Sequence, residues 1–491
     1  MTPSKYEALH EPGPEGFFRK SVFVTIGQLS VALLFVVYVV AARALGDTAF
    51  GQFMLGLAIA NVLFMLPAWG AARYSAIMVA RDPDRTAEIV ATYLGFTLPV
   101  SVLYFPLLAW VASLIGNDAT VVHVALLLGV DQLVRAVGNY FRFVFRVHDA
   151  YPLEALTSFT ERGAIVVAAA VVLLLRPDPV ILAAAFAAGR LAGALVTITL
   201  FQQRIAPVRV HFDLAAIRRL AVGGTPVALR QGVGLLTFRV DLLFLGALRS
   251  AREVGWYGSV YTVMDGAIML PQSVNGSLGP TISANFGRGD LETVLRLYRR
   301  GLKYLVIVGL FLGAVLAVLA HPFVAMVYGG EYVPAVPALV LLALSIPFVF
   351  VRSNTTEVLD NVDLRDVSLR IFAMGLVINV VLNTILVPRY GHVGAAGATL
   401  VTEAALAIGM GAGLAREGYR VGVLSLLRAP VLAIAPAAGL MWSLREVPVL
   451  AGLAGALTYL AALAVAGAWD EKDLQLFRGI GARLRGRRDG S

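Results

Sequence analysis

Runs of about 20 apolar residues recur along this chain and restrict its fold more than any other feature, because a helix of that length crosses the roughly 30 Å hydrocarbon core of a bilayer. Of the 491 residues, 58% are hydrophobic and only 14% are charged. A soluble chain of this length would need far more charge to cover its surface. We therefore predict an all-α polytopic membrane protein with about 14 transmembrane helices, located near residues 21–42, 50–72, 89–115, 119–141, 152–175, 179–203, 220–247, 254–280, 302–320, 333–351, 367–387, 393–415, 422–443 and 447–468.

The basic residues alternate in number from one loop to the next. With the N-terminus inside, the interior segments carry 29 Lys and Arg residues and the exterior loops carry 6. A bias toward the cytoplasmic side is the usual orientation signal of membrane helices, so both termini are predicted to be cytoplasmic. The net charge of +9 is then mostly orientation bias and indicates no nucleic-acid partner. A basic tail, explained either by this bias or by an amphipathic segment on the inner leaflet, contains Lys472, Arg478, Arg483, Arg485, Arg487 and Arg488.

Several classes of protein are excluded by what the sequence lacks. It has no cysteine and only 6 scattered histidines, so we predict no metal site and no disulfide. No GxxxxGK[ST] motif is present, which argues against an ATP-driven pump. No loop is longer than about 25 residues, so there is no room for a folded catalytic domain outside the membrane. We expect a protein that is not an enzyme and needs no cofactor.

An internal repeat divides most of the chain into two parts. The motif that runs from Gly51 to Pro67 returns from Gly255 to Pro271 with the same spacing of 16 residues. An aromatic residue follows each glycine by two positions, and each copy ends in Met-Leu-Pro. Because six predicted spans separate the copies, both face the same way, as in transporters built from two parallel six-helix halves. Chance identity between two apolar stretches is the alternative.

Three blocks in the second half resemble bacterial polysaccharide flippases. These proteins export lipid-linked oligosaccharides and belong to the multidrug/oligosaccharidyl-lipid/polysaccharide superfamily, which has a MATE-like fold. The resemblance covers most of the chain and is strongest over residues 236–405. Its blocks are Arg239–Gly246 with Glu253–Tyr257, Leu270-Pro271 and Gly279-Pro280; Tyr328–Tyr332; and Asn379 and Asn383 with Pro388–Gly391, Gly394–Thr399 and Glu403.

The resemblance implies a V-shaped pair of six-helix lobes that alternates between inward-open and outward-open forms. The N-lobe would comprise residues 1–203, the C-lobe residues 204–415, and residues 416–491 would add two helices and the basic tail. The implied cargo is an oligosaccharide on an undecaprenyl diphosphate-type lipid, flipped to the outer leaflet of a prokaryotic plasma membrane. A polysaccharide polymerase and other assembly proteins are the expected protein partners. Lipid II flippases carry arginines in span 1; this chain has no charge deep in that span, which disfavours lipid II itself as cargo.

Five arginines lie within predicted spans and are the candidates for binding the diphosphate. A charge in mid-membrane is costly, so such residues face the protein interior or water. The planar guanidinium also donates two parallel hydrogen bonds to phosphate oxygens. Structural pairing is the alternative, and Arg190 is the one with no acid within a turn on its own helix. The candidates are Arg230, Arg190, Arg239, Arg135 and Arg162.

The pairing alternatives differ between these arginines. Asp131 and Arg135 are four residues apart and share a helix face, which allows them to neutralise each other. Arg162 follows Glu161 and is expected to bridge rather than to bind. Arg230 and Asp241 line one face of span 7, and Arg239 points nearly opposite unless nearby glycines break the helix.

Four acids within spans are candidates for coupling transport to a Na⁺ or H⁺ gradient. A carboxylate inside a membrane can carry a proton or hold a cation, and a salt bridge to one of the arginines is the alternative. Asp265 shares its helix face with Tyr257 and Tyr261. The group consists of Asp265, Asp241, Asp131 and Glu403.

A multidrug or cation antiporter of the MATE type is the alternative function. A cavity for cationic drugs should be acidic and aromatic, whereas this chain places as many arginines as acids within its spans. The sequence therefore favours an anionic cargo.

Overall fold

The computed structural model describes residues 14–116 and 118–469, and the side chains of all of these except 14–32, 423 and 424. The predicted basic tail lies outside the described residues. Within them the chain forms helices and no β-strand. The N-terminal helices are α1 (Pro14–Leu63), α2 (Met65–Ala68), α3 (Ala71–Arg81), α4 (Thr86–Gly116), α5 (Ala119–Val147), α6 (Tyr151–Leu175), α7 (Pro179–Arg204) and α8 (Leu214–Leu248). The remainder are α9 (Ala251–Gly287), α10 (Leu291–Val318), α11 (Ala320–Val327), α12 (Val336–Asn361), α13 (Arg365–Arg416), α14 (Val423–Ser443) and α15 (Pro448–Val465).

The predicted membrane helices are confirmed. In the described part of the chain, 11 helices are long and apolar enough to cross a membrane. Predicted spans 11 and 12 fall on one helix, α13, which has 52 residues with non-helical backbone at Gly391. Predicted span 1 and most of span 2 fall on α1, which has 50 residues with non-helical backbone at Gly46, and span 2 continues over α2 to the start of α3. Helix α9, with 37 residues, corresponds to predicted span 8 but is not among the 11, because its sequence is more polar. The predicted spans therefore lie on helical segments.

Two compact units divide the chain. The first contains Met1–Thr262 and Asn383–His392, and the second contains Val263–Leu382 and Val393–Ser491. The first unit has an apolar core around Tyr93, Tyr140 and Phe201. The second has cores around Tyr298 and around Tyr459, the latter formed by α10, α14 and α15. The boundary between the two units falls within α9, whereas the predicted boundary between the lobes is at residue 203. The division into two six-helix lobes stays a prediction.

The two copies of the repeat pack against each other in the first unit. A Cβ atom on Gly51 would overlap the carbonyl oxygen of Ala251, and one on Gly255 would overlap that of Asp47. Ala251 and Asp47 each lie four residues before the glycine of their own copy. The contact is therefore reciprocal, as expected for two copies related by a local two-fold axis. Side chains at either glycine would hold these helices apart.

Candidate functional site

A buried group of charges joins three helices of the first unit. Arg190 on α7 is only 6% exposed. Its Nε donates to Oδ1 of Asp131 on α5 at 2.8 Å, and its Nη1 donates to Oε1 of Glu161 on α6 at 2.6 Å. Since buried charges are stable only when paired, these bonds allow a cation at the centre of the unit. Arg190 has no acid within a turn on its own helix, and both of its acids come from other helices, which is the structural alternative to binding cargo.

Glu161 has a second cationic partner, Arg142. Nη1 of Arg142 donates to Oε2 of Glu161 at 2.8 Å, and the Arg142 side chain is 7% exposed. Predicted span 4 ends at residue 141, but α5 continues as far as Val147 and includes Arg142. The Glu161 carboxylate binds Arg142 and Arg190, and the expectation that Arg162 forms a bridge stays a prediction. Two acids, Asp131 and Glu161, thus balance two arginines.

Arg135 stands outside this balance. It lies on α5 one turn beyond Asp131, yet Asp131 pairs with Arg190, so the predicted neutralisation of Arg135 by Asp131 is wrong. Its described hydrogen bonds go to amide oxygens, those of Gln132 and, at 3.3 Å, of Asn61 on α1. The residue is exposed. Arg135 therefore presents a reachable positive charge beside a neutralised group.

Arg239 and Arg230 lie on α8, which is one continuous helix over Leu214–Leu248. The guanidinium carbon of Arg239 is 5.3 Å from the ring centroid of Tyr261, a cation–π geometry. Both arginines are partly buried. The role of these arginines in binding stays a prediction.

The acidic candidates have different surroundings. Asp131 pairs with Arg190, and Glu403 pairs with Nε of Arg352 at 2.7 Å, which is the structural alternative for both. Asp241 is 1% exposed and accepts a hydrogen bond from the Tyr257 hydroxyl. Tyr257 is thus directed at Asp241, although the sequence had placed it beside Asp265. Asp265 itself is exposed on α9.

The hydropathy pattern also did not identify Arg352 as a buried residue. The hydropathy pattern ended span 10 at residue 351, but α12 continues to Asn361, and Arg352 is 6% exposed. Its guanidinium carbon lies 5.6 Å from the ring centroid of Phe372. A buried acid on a different helix allows the helix to stay in the core beyond its apolar run.

A second polar group surrounds the contact between Gly51 and Gly255. Asp47 accepts from Nε of Arg252 at 3.3 Å and from the Trp256 indole at 3.1 Å. Glu253 accepts from the backbone N–H of His392 at 3.0 Å. Asp47, Arg252, Glu253 and His392 come from three predicted exterior loops, and Trp256 from the start of predicted span 8. Nothing in the local sequence indicates that these residues meet.

The helices and the charge group define the class of this protein: a polytopic helical membrane protein with a polar, charge-bearing core in its first unit. The model of the family "Polysaccharide biosynthesis protein" matches residues 17–286, more than half of the chain. The chain belongs to this family. A second family model, MatE, matches residues 226–385. The superfamily predicted from the sequence motifs is therefore confirmed.

Relatives and solved structures agree with this assignment. The chain is 30% identical over 166 residues to "Probable flippase AglR" of Haloferax volcanii, a match that covers 33% of this chain and 35% of that protein. The match thus spans about a third of this curated relative. The fold is similar to that of "Lipid II flippase MurJ, inward closed conformation", with a TM-score of 0.73 and 12% identity, covering 90% of this chain and 98% of that one.

An inward-facing multidrug resistance MATE family transporter also has this fold, with a TM-score of 0.65 and 16% identity over 83% of this chain and 99% of that one. So does a transporter of the superfamily from Pyrococcus furiosus, with a TM-score of 0.58 and 18% identity over 82% and 95%. At these identities the likeness establishes the fold alone. The predicted MATE-like fold is confirmed.

Proposed function

We propose that this protein flips a lipid-linked oligosaccharide, carried on an undecaprenyl diphosphate-type lipid, from the cytoplasmic to the outer leaflet of a prokaryotic plasma membrane by alternating access. The observation that carries the proposal is Arg135. It is exposed and held by amide oxygens, while the neighbouring acids are committed to Arg142 and Arg190. A spare guanidinium attracts and orients a diphosphate.

The neutral partners of Arg135 suit a site that binds and then releases. A carboxylate would compete with the cargo for the guanidinium, whereas an amide oxygen carries no full charge. Asn61 and Gln132 hold the side chain in place without cancelling its charge. In a cavity that is poorer in water than bulk solvent, the attraction to a diphosphate is stronger than at an open surface.

Transport rather than catalysis fits the connections between helices. Segments such as 205–213 between α7 and α8 are short and leave no room for a catalytic domain in the described part of the chain. The Haloferax volcanii relative described above is a probable flippase. In this proposal both termini are cytoplasmic, and a polysaccharide polymerase or other assembly protein receives the cargo outside.

The proposal is tested by transport in vesicles that contain the full chain and a fluorescent oligosaccharide on polyprenyl diphosphate. We expect Arg135→Gln to lower the initial rate by about tenfold or more, because a hydrogen bond to a charged group contributes about 1.5–3 kcal/mol and 1.4 kcal/mol is a factor of ten. Arg176→Gln, at an exposed connection between α6 and α7, is the matched control. Equal rates for wild type and Arg135→Gln would contradict the proposal.

Coupling to Na⁺ or H⁺ is a further part of the proposal and rests on Asp265. This acid is exposed on α9, and a carboxylate within a predicted span can carry a proton or hold a cation. We expect an imposed Na⁺ or pH gradient to accelerate transport by the wild type and to have no effect on Asp265→Asn. Acceleration of both proteins alike would exclude Asp265 as the coupling group.

A cation exporter of the MATE type is the second candidate, because the MatE model matches residues 226–385. The spare charge of Arg135 opposes it, since a cationic cargo would be repelled. Accumulation of a cationic dye such as ethidium in the vesicles, with no movement of the polyprenyl lipid, would favour this alternative.

A further inference from the structure

An apolar groove lies in the first unit, between the end of the second predicted span, α4 and α8. Its volume is 360 Å³. It faces outward on one side, where Leu103 is 75% exposed. The groove is lined by Leu66, Trp69, Phe96, Val100, Leu103, Tyr104, Leu107 and Ala221.

A break in the second span creates this groove. Helix α1 ends at Leu63, α2 has only 4 residues, and Trp69 and Gly70 separate it from α3. Trp69 has φ 29° and Gly70 has φ 64°, a region that a bulky side chain rarely adopts. The Trp69 indole donates to the Thr225 hydroxyl on α8 at 3.2 Å. A tryptophan held in a strained conformation at a cavity is typical of a functional position.

The groove wall offers only apolar contacts. The Tyr104 hydroxyl donates to the backbone oxygen of Ala60 at 3.1 Å, and the Trp69 N–H is used by Thr225. Both polar groups of the lining are thus satisfied within the protein. A hydrocarbon chain without hydrogen-bonding groups can therefore bind against this wall without leaving any polar group unpaired.

Positive charge lies at one end of this groove. Arg218 precedes the lining residue Ala221 by three positions on α8, which places it one turn away on the same face. Arg73 is the third residue of α3, which begins directly after Trp69 and Gly70. Both arginines are exposed, and no ion pair is described for either. An apolar groove with cations at one end is complementary to an amphiphile with an anionic head.

We propose that this groove binds the first isoprene units of the polyprenyl chain of the cargo, with the diphosphate near Arg218 and Arg73 before it enters the core. The inference rests on the proposed function and adds a loading site to it. The volume is at the low end of the roughly 300–1,000 Å³ of small-molecule sites, so one chain fits in part. Both arginines belong to segments predicted to be interior, the side on which the cargo is assembled.

Photolabelling tests the groove. The full chain, in phosphatidylethanolamine vesicles, is labelled with polyprenyl diphosphate that carries a diazirine on its second isoprene unit. We expect labelled peptides from residues 96–107, protection by farnesyl diphosphate, and none by inorganic diphosphate or dioleoylphosphatidylglycerol. Protection by dioleoylphosphatidylglycerol equal to that by farnesyl diphosphate would overturn the inference in favour of a general lipid site.

Two matched substitutions on α4 provide the control. Val100 lines the groove, whereas Val102 is 70% exposed and does not. Val100→Trp should fill the groove and lower labelling at least tenfold, and Val102→Trp should leave it unchanged. Unchanged labelling of Val100→Trp, in vesicles that transport normally, would overturn the groove alone. Full labelling of the groove by a wild type that transports no polyprenyl lipid would overturn the proposed function instead.

Discussion

Each compact unit buries ion pairs, but the two units differ in what is left over. In the second unit Arg352 and Glu403 form one pair, with side chains 7% and 4% exposed. In the first unit Asp131 and Glu161 bind Arg142 and Arg190, and Arg135 adds a reachable positive charge nearby. In the second unit each charge of the pair is neutralised by the other. In the first unit the buried acids and arginines neutralise one another, and Arg135 leaves a net positive charge beside them.

This difference separates charges that stabilise the fold from a charge available for function. A buried ion pair contributes little net stability, but removal of one partner leaves an uncompensated charge. An exposed guanidinium held by amides can be removed with little effect on folding. Stability and transport measurements should therefore respond to different residues in the two units.

Glu403→Gln should have the largest effect on stability. It leaves Arg352 buried without its carboxylate, and we expect a loss of about 3–5 kcal/mol in the free energy of unfolding, measured by denaturant titration in detergent micelles. The paired replacement Arg352→Met with Glu403→Leu removes both charges and should be close to neutral. If the double variant were as unstable as the single one, packing rather than charge would explain the loss.

Glu161→Gln should destabilise by about 3 kcal/mol, slightly less than Glu403→Gln. Arg142 loses its carboxylate but keeps the amide oxygen of Asn139, and Asp131 still pairs with Arg190. Glu154→Gln is the matched control on α6, because its partner Arg146 is 47% exposed and can be solvated after the change. We expect it to cost about 1 kcal/mol or less. A loss from Glu161→Gln no larger than that from Glu154→Gln would contradict the buried pairing of Glu161 with Arg142 and Arg190.

A substitution at the contact between the two repeats should have a smaller effect on stability. Gly51→Ala introduces a Cβ against the backbone of Ala251, and overpacking of this kind costs about 1–3 kcal/mol. Gly266→Ala on α9 is the control, because nothing lies within 4 Å of its added Cβ. Equal unfolding midpoints for the two variants would contradict the close approach of the helices.

His148, between α5 and α6, should give the smallest effect. Burial lowers the pKa of this imidazole, and its Nε2 lies 2.9 Å from the Thr86 hydroxyl. The unfolded chain therefore binds the proton more readily, so the stability contributed by neutral His148 is present above pH 6.5 and is lost as the pH falls below it. We expect a small decrease in the unfolding midpoint between pH 7 and pH 5, and a weaker decrease in His148→Gln. The same decrease in both proteins would exclude His148 as its source.

The sequence was sufficient to predict the helices but not the partners of their charges. Apolar runs determine where a helix can cross a membrane, and the predicted spans lie on helical segments. Hydropathy ended the helices too early at Arg142 and Arg352, because a charge with a buried partner can stay in the core. The acids that bind Arg190 lie 59 and 29 residues away, a pairing set by the packing of three helices and not by local spacing.

The candidate site was predictable in part for the same reason. Arginines within predicted spans could be identified as candidate functional residues, because a charge in lipid is energetically costly. The sequence could not predict which of these arginines lacks a carboxylate partner, because that depends on helix packing. Asp131 on α5 pairs with Arg190 on α7, and Arg135 donates to the amide oxygens of Gln132 and Asn61. The cluster of Asp47, Glu253 and His392 had no local pattern, since it is assembled from three loops.

The most direct test compares the affinities of polyprenyl diphosphate and polyprenyl monophosphate for the wild type and for Arg135→Gln. If the guanidinium of Arg135 holds the diphosphate, the wild type should prefer the diphosphate lipid by about tenfold, the factor that corresponds to 1.4 kcal/mol, and the variant should bind both lipids with nearly equal affinity. An unchanged preference for the diphosphate lipid in Arg135→Gln would contradict the account.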